Sequence, residues 1–413
     1  MDILTNLQSH DTWQQFLAHR TENGHLQAYQ KISLTRYVEQ TGYQKSVDAV
    51  CRAEPFSPPR RVAISKHHSD KKRIVYIYPQ EERNVLKLLT HLLQRKYDHL
   101  FCPNLYSFRP GTGVRRAVQK LTETQGLSGM WSYKVDIRDY FNSIPIERLL
   151  PKLESALADD PGVFRFLKVL LTDPRVAADG TILDEPRKGI MAGTPISTFL
   201  ANLYLAELDR KFYDAGRLYA RYSDDIITFA SSEAELEENI RWILDALAEN
   251  GLTVNPKKEN RTAPGEAFVF LGFLFDGNRV DVAPASIEKL KAKMRRKTRA
   301  LMRWKARKNT TGVNAAKAFI RAFNRKLFDN PIEHELTWAR WYFPLITTAD
   351  SLQIIDHYSQ SCIRYLATGK HTKAAYNFRY DDMKALGYIS LVNCYYKQDA
   401  WPVFPEKSQE TVD

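Results

Sequence analysis

Apolar positions recur in this chain with two periods, close to 3.6 and to 2, and the switches between them predict a protein of mixed helix and strand. Thr12–Arg20 and Leu34–Glu39 are helical patches, and Pro55, Pro58 and Pro59 close that region. Val62–Ser65 and Arg73–Tyr78 read as two strands about a polar turn. Glu81–Tyr97 follows as a helix with Val85, Leu88, Leu89, Leu92 and Leu93 on one face. Tyr133–Ile137 is an apolar strand run, and Ile146–Leu157 and Val163–Leu171 are helices ahead of a loop rich in Pro, Gly and Asp. Gly189–Ser197 leads into one long helix, with Thr194 as N-cap and Pro195 at the first helical position. Its core face carries Ile196, Phe199, Leu200, Leu203 and Leu208. Tyr219–Tyr222 and Ile226–Phe229 are aromatic and β-branched enough for strands, and Ser223-Asp224-Asp225 between them is turn chemistry, so the stretch predicts a β-hairpin. Ser232 with Glu235 makes a capping box for a helix carrying Leu236, Ile240, Ile243, Leu244 and Leu247, which Gly251 stops. Phe268–Phe275 is an apolar strand run around a glycine, and a helix starts at Ile287.

The chemistry concentrates on acids within this pattern. Asp224 and Asp225 repel each other at a tight turn, and a divalent cation with a taste for hard oxygen ligands would neutralise them. An ordinary exposed turn accounts for the pair equally well. Asp136 tilts the balance, because an Asp inside an apolar strand run needs a reason. Asp139 is a rival, set aside because it stands at the polar exit of that run. Upstream, Lys66 and Arg73 flank the polar turn and can face one volume across the ladder. A lysine point charge beside an arginine fork suits a triphosphate, while a solvated basic hairpin is the plainer account. His67 and His68 read as surface turn residues.

Charge sharpens the choice of partner. The 413 residues carry a formal net charge of +12, which favours a polyanion, and their 44% hydrophobic and 12% aromatic content argues for folded domains. Between Lys289 and Lys308 there are eleven basic residues, among them Lys293, Arg296, Lys297 and Arg303. Ile287, Leu290, Met294, Leu301 and Trp304 form an apolar stripe on the same helix, so it has a core face and a cationic face. Eleven like charges repel unless phosphates lie beside them, which favours nucleic-acid binding over a merely solvated surface. No apolar run reaches the roughly 18 residues that span a bilayer. The N-terminus has no basic start with an apolar core, so the expected location is the cytoplasm, without a membrane. Cys51, Cys102, Cys362 and Cys394 are scattered and predict neither a zinc module nor a disulfide framework.

Val135-Asp-Ile-Arg-Asp-Tyr-Phe-Asn-Ser-Ile144 followed by Tyr222-Ser-Asp-Asp225 closely resembles the palm of reverse transcriptases, and the motifs run in consistent order from about Arg61 to Phe275. The resemblance implies an α+β right hand of fingers, a ferredoxin-like palm and an α-helical thumb. The expected divisions are an N-terminal helical extension over 1–59, fingers over 60–130 with 150–188 inserted, palm over 131–149 and 189–280, thumb over 281–405 and a tail over 406–413. It implies that Asp136, Asp224 and Asp225 are the catalytic, metal-holding acids for two Mg²⁺ ions, with Mn²⁺ as an alternative. Lys66 and Arg73 would hold the triphosphate of the incoming dNTP, and Phe141 would exclude the 2′-hydroxyl, although a lone aromatic is by default core. Gly193, Pro195, Ser197 and Asn202 match the family's template-positioning motif, where a glycine can approach a base pair closely. Ala192 departs from it, since most members have glutamine there. Lys258 aligns with a lysine near the leaving pyrophosphate and would act as a general acid, with an exposed lysine as the cheaper account. Tyr106-Ser-Phe-Arg-Pro-Gly111 is similar to a fingers motif in which Arg109 would contact template or backbone phosphate, or else simply close the Pro-Gly turn. Phe268–Phe275 matches the primer-grip hairpin.

The resemblance therefore predicts an RNA-directed DNA polymerase with an RNA template, dNTPs and a cDNA product; a homo-oligomer is allowed. No integrase, ribonuclease H or zinc endonuclease segment is recognisable, and with Ala192 this points to the bacterial retron-like, abortive-infection and defence-associated enzymes. By analogy with those, the template would be a structured non-coding RNA copied in antiphage defence. The alternative within the family is template-independent or protein-primed DNA synthesis.

Overall fold

A computed structural model describes residues 2–22, 26–65, 72–173, 175–176, 181–183, 188–328 and 337–397. By packing, the chain divides into two units, Met1–Pro264 and Gly265–Asp413. The palm end expected at 280 thus falls inside the second unit.

The first unit opens with four helices, α1 (Ile3–Gln8), α2 (His10–Glu22), α3 (Ala28–Glu39) and α4 (Gln44–Arg52). Their cement is aromatic. The Trp13 ring stacks on Tyr43 with centroids 4.4 Å apart while its Nε1 donates to the Leu7 carbonyl at 2.8 Å. The prolines release the chain into β1 (Arg60–Ser65) and β2 (Lys72–Ile77), an antiparallel hairpin in which Arg73 stands opposite Ile64. Next come α5 (Gln80–Lys96), whose Val85, Leu88, Leu89 and Leu93 are fully buried, and α6 (Val114–Thr122).

The palm follows. β3 (Trp131–Asp136) leads through α7 (Tyr140–Ser143), α8 (Ile146–Ala156) and α9 (Pro161–Thr172) to two short strands, β4 (Arg175–Val176) and β5 (Ile182–Leu183), which extend the β1–β2 sheet. Then α10 (Ser197–Tyr204) and α11 (Ala206–Asp214) precede the hairpin β6 (Tyr219–Tyr222) and β7 (Asp225–Ala230), α12 (Glu233–Glu249) and β8 (Asn260–Thr262). The sheet order β6-β7-β3-β8, antiparallel throughout, with helices in the β3–β6 and β7–β8 connections and α12 packed on β3 and β7, is a ferredoxin-like βαββαβ layout.

Three local expectations need correction. The long helix after Gly189 is two helices, broken at Leu205 (φ −113°, ψ 15°), so Leu208 lies on the second. Helix α10 begins at Ser197, not Pro195. The Thr194 hydroxyl, expected as its cap, instead donates to the Met191 carbonyl at 2.9 Å and bonds the Ser197 hydroxyl at 2.6 Å. The capping box at α12 is displaced by one residue: Ser232 Oγ accepts from the Glu235 amide at 3.2 Å, whereas the Glu235 carboxylate accepts from Ser231.

The second unit starts with a three-stranded antiparallel sheet of β9 (Phe268–Phe270), β10 (Phe273–Asp276) and β11 (Arg279–Val282). Leu271 and Gly272 both take positive φ in its first, two-residue turn. Helices α13 (Pro284–Lys308), α14 (Gly312–Leu327), α15 (Trp338–Tyr342), α16 (Asp350–Thr368), α17 (Tyr380–Ala385) and α18 (Leu391–Tyr396) follow, with α13, α14 and α16 packed on one another. Buried Asp356 on α16 staples the end of the chain: it accepts from the Leu391 and Val392 amides and from Tyr388 and Ser390 hydroxyls at 2.7–3.1 Å.

Candidate active site

Strand pairing brings the acids together. Asp136, the last residue of β3, stands directly opposite Asp225, the first of β7, so the two carboxylates leave the same face of the sheet. Asp224 occupies the adjoining turn, and its carbonyl accepts from the Ile137 amide at 3.0 Å. Ser223 takes φ +61° to make that turn. Asp139, on the far side of Ile137, is exposed and bonded to Asn142.

Behind the turn lies a buried polar network that the sequence reading missed. Arg221 has no exposed surface and forms a bidentate pair with Asp209 of α11, Nε to Oδ1 at 2.7 Å and Nη2 to Oδ2 at 2.5 Å. The same guanidinium donates to the Asn202 carbonyl at 3.1 Å and the Ser223 carbonyl at 3.4 Å. Tyr219 adds a hydroxyl to Asp209 at 3.0 Å. Asn202 exchanges bonds with Ser107 at 2.7 and 3.0 Å, and the Ser107 hydroxyl accepts the Ser223 amide at 2.9 Å. Asn202, expected to help position template, is a strut of this network instead. An arginine at a fully buried strand position was the available signal, since such a charge requires a partner.

The acids facing outward are not so satisfied. Burial, then the charges of Asp136 and Asp225, push the Asp224 carboxyl up to about 6. Burial also raises Asp225, aided by Asp136 and opposed by Lys134, whose Nζ is 3.9 Å from Asp225 Oδ1. The Lys258 ammonium is bonded directly to Asp136. Burial would lower that ammonium's pKa, but its bond to Asp136 and the charges of Asp136, Asp225 and Asp224 raise it. A surplus of carboxylate held near cations is the donor chemistry a hard divalent ion requires. Among the described residues no three His, Cys, Asp or Glu side chains are grouped to cage an ion alone.

The remaining expected residues fall into different places. Phe141 is half-buried, edge-on to Phe108 at 6.4 Å, and Phe108 in turn lies 6.2 Å from Tyr222 beside the turn. Gly193 is exposed at φ +97°; a Cβ there would come within 3.0 Å of Val75 Cβ, so its missing side chain serves packing against β2. The neighbouring Ala192 carbonyl accepts the Tyr76 amide at 2.8 Å, tying the loop to the same strand. Arg73 is exposed on β2, and Lys66, like His67 and His68, lies outside the described residues. Arg109 corrects the expectation of a phosphate contact. Its guanidinium is nearly buried, pairs with Asp98 at 2.8 and 3.1 Å and donates to the Cys102 and Leu105 carbonyls, leaving nothing to offer nucleic acid. In the second unit, Lys293, Arg296, Lys297 and Arg303 are exposed on α13, opposite buried Ile287, Leu290, Met294 and Leu301.

This is the palm of a nucleotidyl-transferring polymerase. The family model of reverse transcriptase (RNA-dependent DNA polymerase) matches residues 64–275, about half of the chain, and the chain belongs to that family. It is also similar to the "Uncharacterized 91 kDa protein in cob intron" of Schizosaccharomyces pombe (strain 972 / ATCC 24843), 32% identical over 160 residues. That match covers 37% of this chain and only 18% of the relative's length. Among solved structures, a Candida albicans telomerase in complex with a TWJ fragment of telomeric RNA matches with a TM-score of 0.46 at 11% identity, over 89% of this chain and 71% of that one. An apo Candida tropicalis telomerase truncated from its C-terminal domain matches with a TM-score of 0.44 at 11% identity, over 55% of each chain. Reverse transcriptase domains use divalent metal ions, and among the described residues no helix is long and apolar enough to cross a membrane.

Proposed function

We propose that this protein is an RNA-directed DNA polymerase that extends a primer with dNTPs. The observation carrying the reading is the register of β3 and β7, which sets Asp136 opposite Asp225 with Asp224 in the adjoining turn. Asp136 and Asp224 would hold two Mg²⁺ ions, and Asp225 would shape the field around them. Bound there, the ions supply acidification of the primer 3′-hydroxyl and neutralisation of the triphosphate. Lys258 neutralises Asp136 in the meantime and is placed to follow charge onto the leaving pyrophosphate. Arg73, with Lys66, is the phosphate clamp of the fingers. Phe141, braced edge-on by Phe108, presents a half-buried ring at the sugar position and selects deoxynucleotides. Lys293, Arg296, Lys297 and Arg303 contact backbone phosphates of the template–primer duplex. Primer extension on an RNA template with dNTPs tests the whole reading. Asp136→Asn and Asp224→Asn must each abolish synthesis while circular dichroism stays native; full activity in either variant sinks it.

For the biological setting, we infer a cytoplasmic enzyme copying a structured non-coding RNA in antiphage defence, supported by resemblance to that branch at Ala192. A second reading is favoured by the relative encoded in a cob intron: the template is an intron RNA. Sequencing RNA and cDNA that co-purify with the protein separates the two. Homopolymer made without added template would instead support the template-independent alternative.

A further inference from the structure

A row of cations runs along one side of α5, on elements that contribute nothing to the carboxylate site. Arg83, Lys87, His91 and Arg95 succeed one another at intervals of four residues, about 6 Å of helix rise each. Helix α2 lies against this row and adds His19 and Arg20 from its last turn. The His19 and His91 rings are 4.7 Å apart, Phe16 sits edge-on to His91 at 5.4 Å, and Arg95 Nη1 bonds His91 Nδ1 at 2.8 Å. All but Arg95 are half-buried.

These groups repel one another. Burial, then Arg20 and Arg83, lowers Lys87 to about 8, and burial with Arg95, His19 and Arg20 lowers His91 to about 4. Glu22 opposes the lowering of His19, while the charges that lower Lys87 and His91 are all basic. A buried cluster of cations destabilises a fold unless an anion completes it. Arg83 is only partly satisfied: Nη2 of its guanidinium donates to Gln80 Oε1, while its Nε is buried with no hydrogen-bond partner in this structure.

We propose that the shared face of α2 and α5 binds the phosphates of a single-stranded nucleic acid. The linear spacing of Arg83, Lys87 and Arg95 suits a chain of phosphates better than one isolated anion, and neutral His19 and His91 can take up protons as phosphates arrive. Binding at this face would hold the strand to the N-terminal helices, independently of whether the palm polymerises.

The test is binding, so it is separate from the polymerase reading. Fluorescence anisotropy of a labelled oligouridylate is followed against salt for the full chain and for the double variant Arg20→Gln, Lys87→Gln. The double variant should bind about tenfold more weakly at low salt, with the slope of log affinity against log salt reduced by about 1.4, roughly 0.7 per lost cation. Extension of a short annealed primer should persist, and Lys87→Met should melt higher than wild type without ligand. Unchanged affinity and slope overturn the proposal. In wild-type protein, Lys87 should react readily with an amine reagent at pH 8 and be protected by oligouridylate but not by equal phosphate as tripolyphosphate. Equal protection by both assigns the face to free polyphosphate and overturns the strand assignment; protection by neither overturns the site.

Discussion

Two sets of acids in the palm, Asp209 on α11 and Asp224 with Asp225 at the β6–β7 turn, meet opposite fates. Asp209 is fully buried, yet Arg221 and Tyr219 saturate both its oxygens at 2.5–3.0 Å. Asp224, two residues past a shared strand with Arg221, has two acids for neighbours and a carboxyl pushed up to about 6. The first set is complete without help, and the second is complete only with a cation. A rigid, satisfied network behind a turn lets the turn itself carry unpaired charge at a fixed position, which is what an electrostatic catalyst requires.

Arg221 carries the largest expected effect. Arg221→Ala leaves Asp209 buried without its cation, with the Tyr219 hydroxyl still donating to its carboxylate, at a cost of about 3–5 kcal/mol in denaturant unfolding. A cost below about 1 kcal/mol would mean that the pair does not hold the turn. The paired replacement Arg221→Met with Asp209→Leu should recover much of that stability but not synthesis, because the Ser223 carbonyl and the Asn202 carbonyl lose their donor. Asp224→Asn should act in the opposite sense on stability. The raised carboxyl pKa means that the folded state holds this proton more tightly than the unfolded chain. The penalty of ionisation is therefore absent below about pH 4 and fully present above about pH 6. Two units correspond to at most about 3 kcal/mol, so metal-free Asp224→Asn should exceed wild type in stability at pH 7 and converge with it near pH 4. Saturating Mg²⁺ should close the gap at pH 7. A variant less stable than wild type at pH 7 refutes the crowding.

Much of this was legible in the chain because strands advertise misplaced charge. Asp136 in Tyr133-Lys-Val-Asp-Ile137 stood out as an acid in an apolar run and Asp224-Asp225 as a doublet at a turn; the register of β3 against β7 is what joins them. Arg221 advertised itself in the same way, in Tyr219-Ala-Arg-Tyr222, but its partner Asp209 sits on a helix where acids are ordinary, and nothing local marks it as buried. The break at Leu205 was illegible for a related reason. No Gly or Pro stands there; tertiary bonds such as Tyr204 Oη to the Asn250 carbonyl at 2.6 Å and Tyr140 Oη to the Ala201 carbonyl at 2.6 Å accompany it. Arg109 offered two readings in sequence, and only its pairing with Asp98 eleven residues upstream decides for the turn.

Gly193 gives a smaller effect. Its φ of +97° and the 3.0 Å approach of a Cβ to Val75 predict that Gly193→Ala costs about 1–3 kcal/mol and lowers the melting temperature. If it costs nothing, the loop is not seated on β2. Arg109→Ala should cost about 1–3 kcal/mol by orphaning Asp98 and two carbonyls, and should leave the salt dependence of RNA binding unchanged.

The smallest effect belongs to Lys258, and it sharpens the comparison most. Asp209 has a permanent cation, whereas the ammonium on Asp136 is more than half exposed and free to leave. If Lys258 merely stands in for a divalent ion, Lys258→Gln should strengthen metal binding two- to fivefold, read from the Mn²⁺ concentration at the midpoint of the thermal shift, while slowing nucleotide addition. Weaker metal binding in the variant would mean that the lysine organises the carboxylates, in the way Arg221 organises Asp209, and the two acid sites would then differ in degree only.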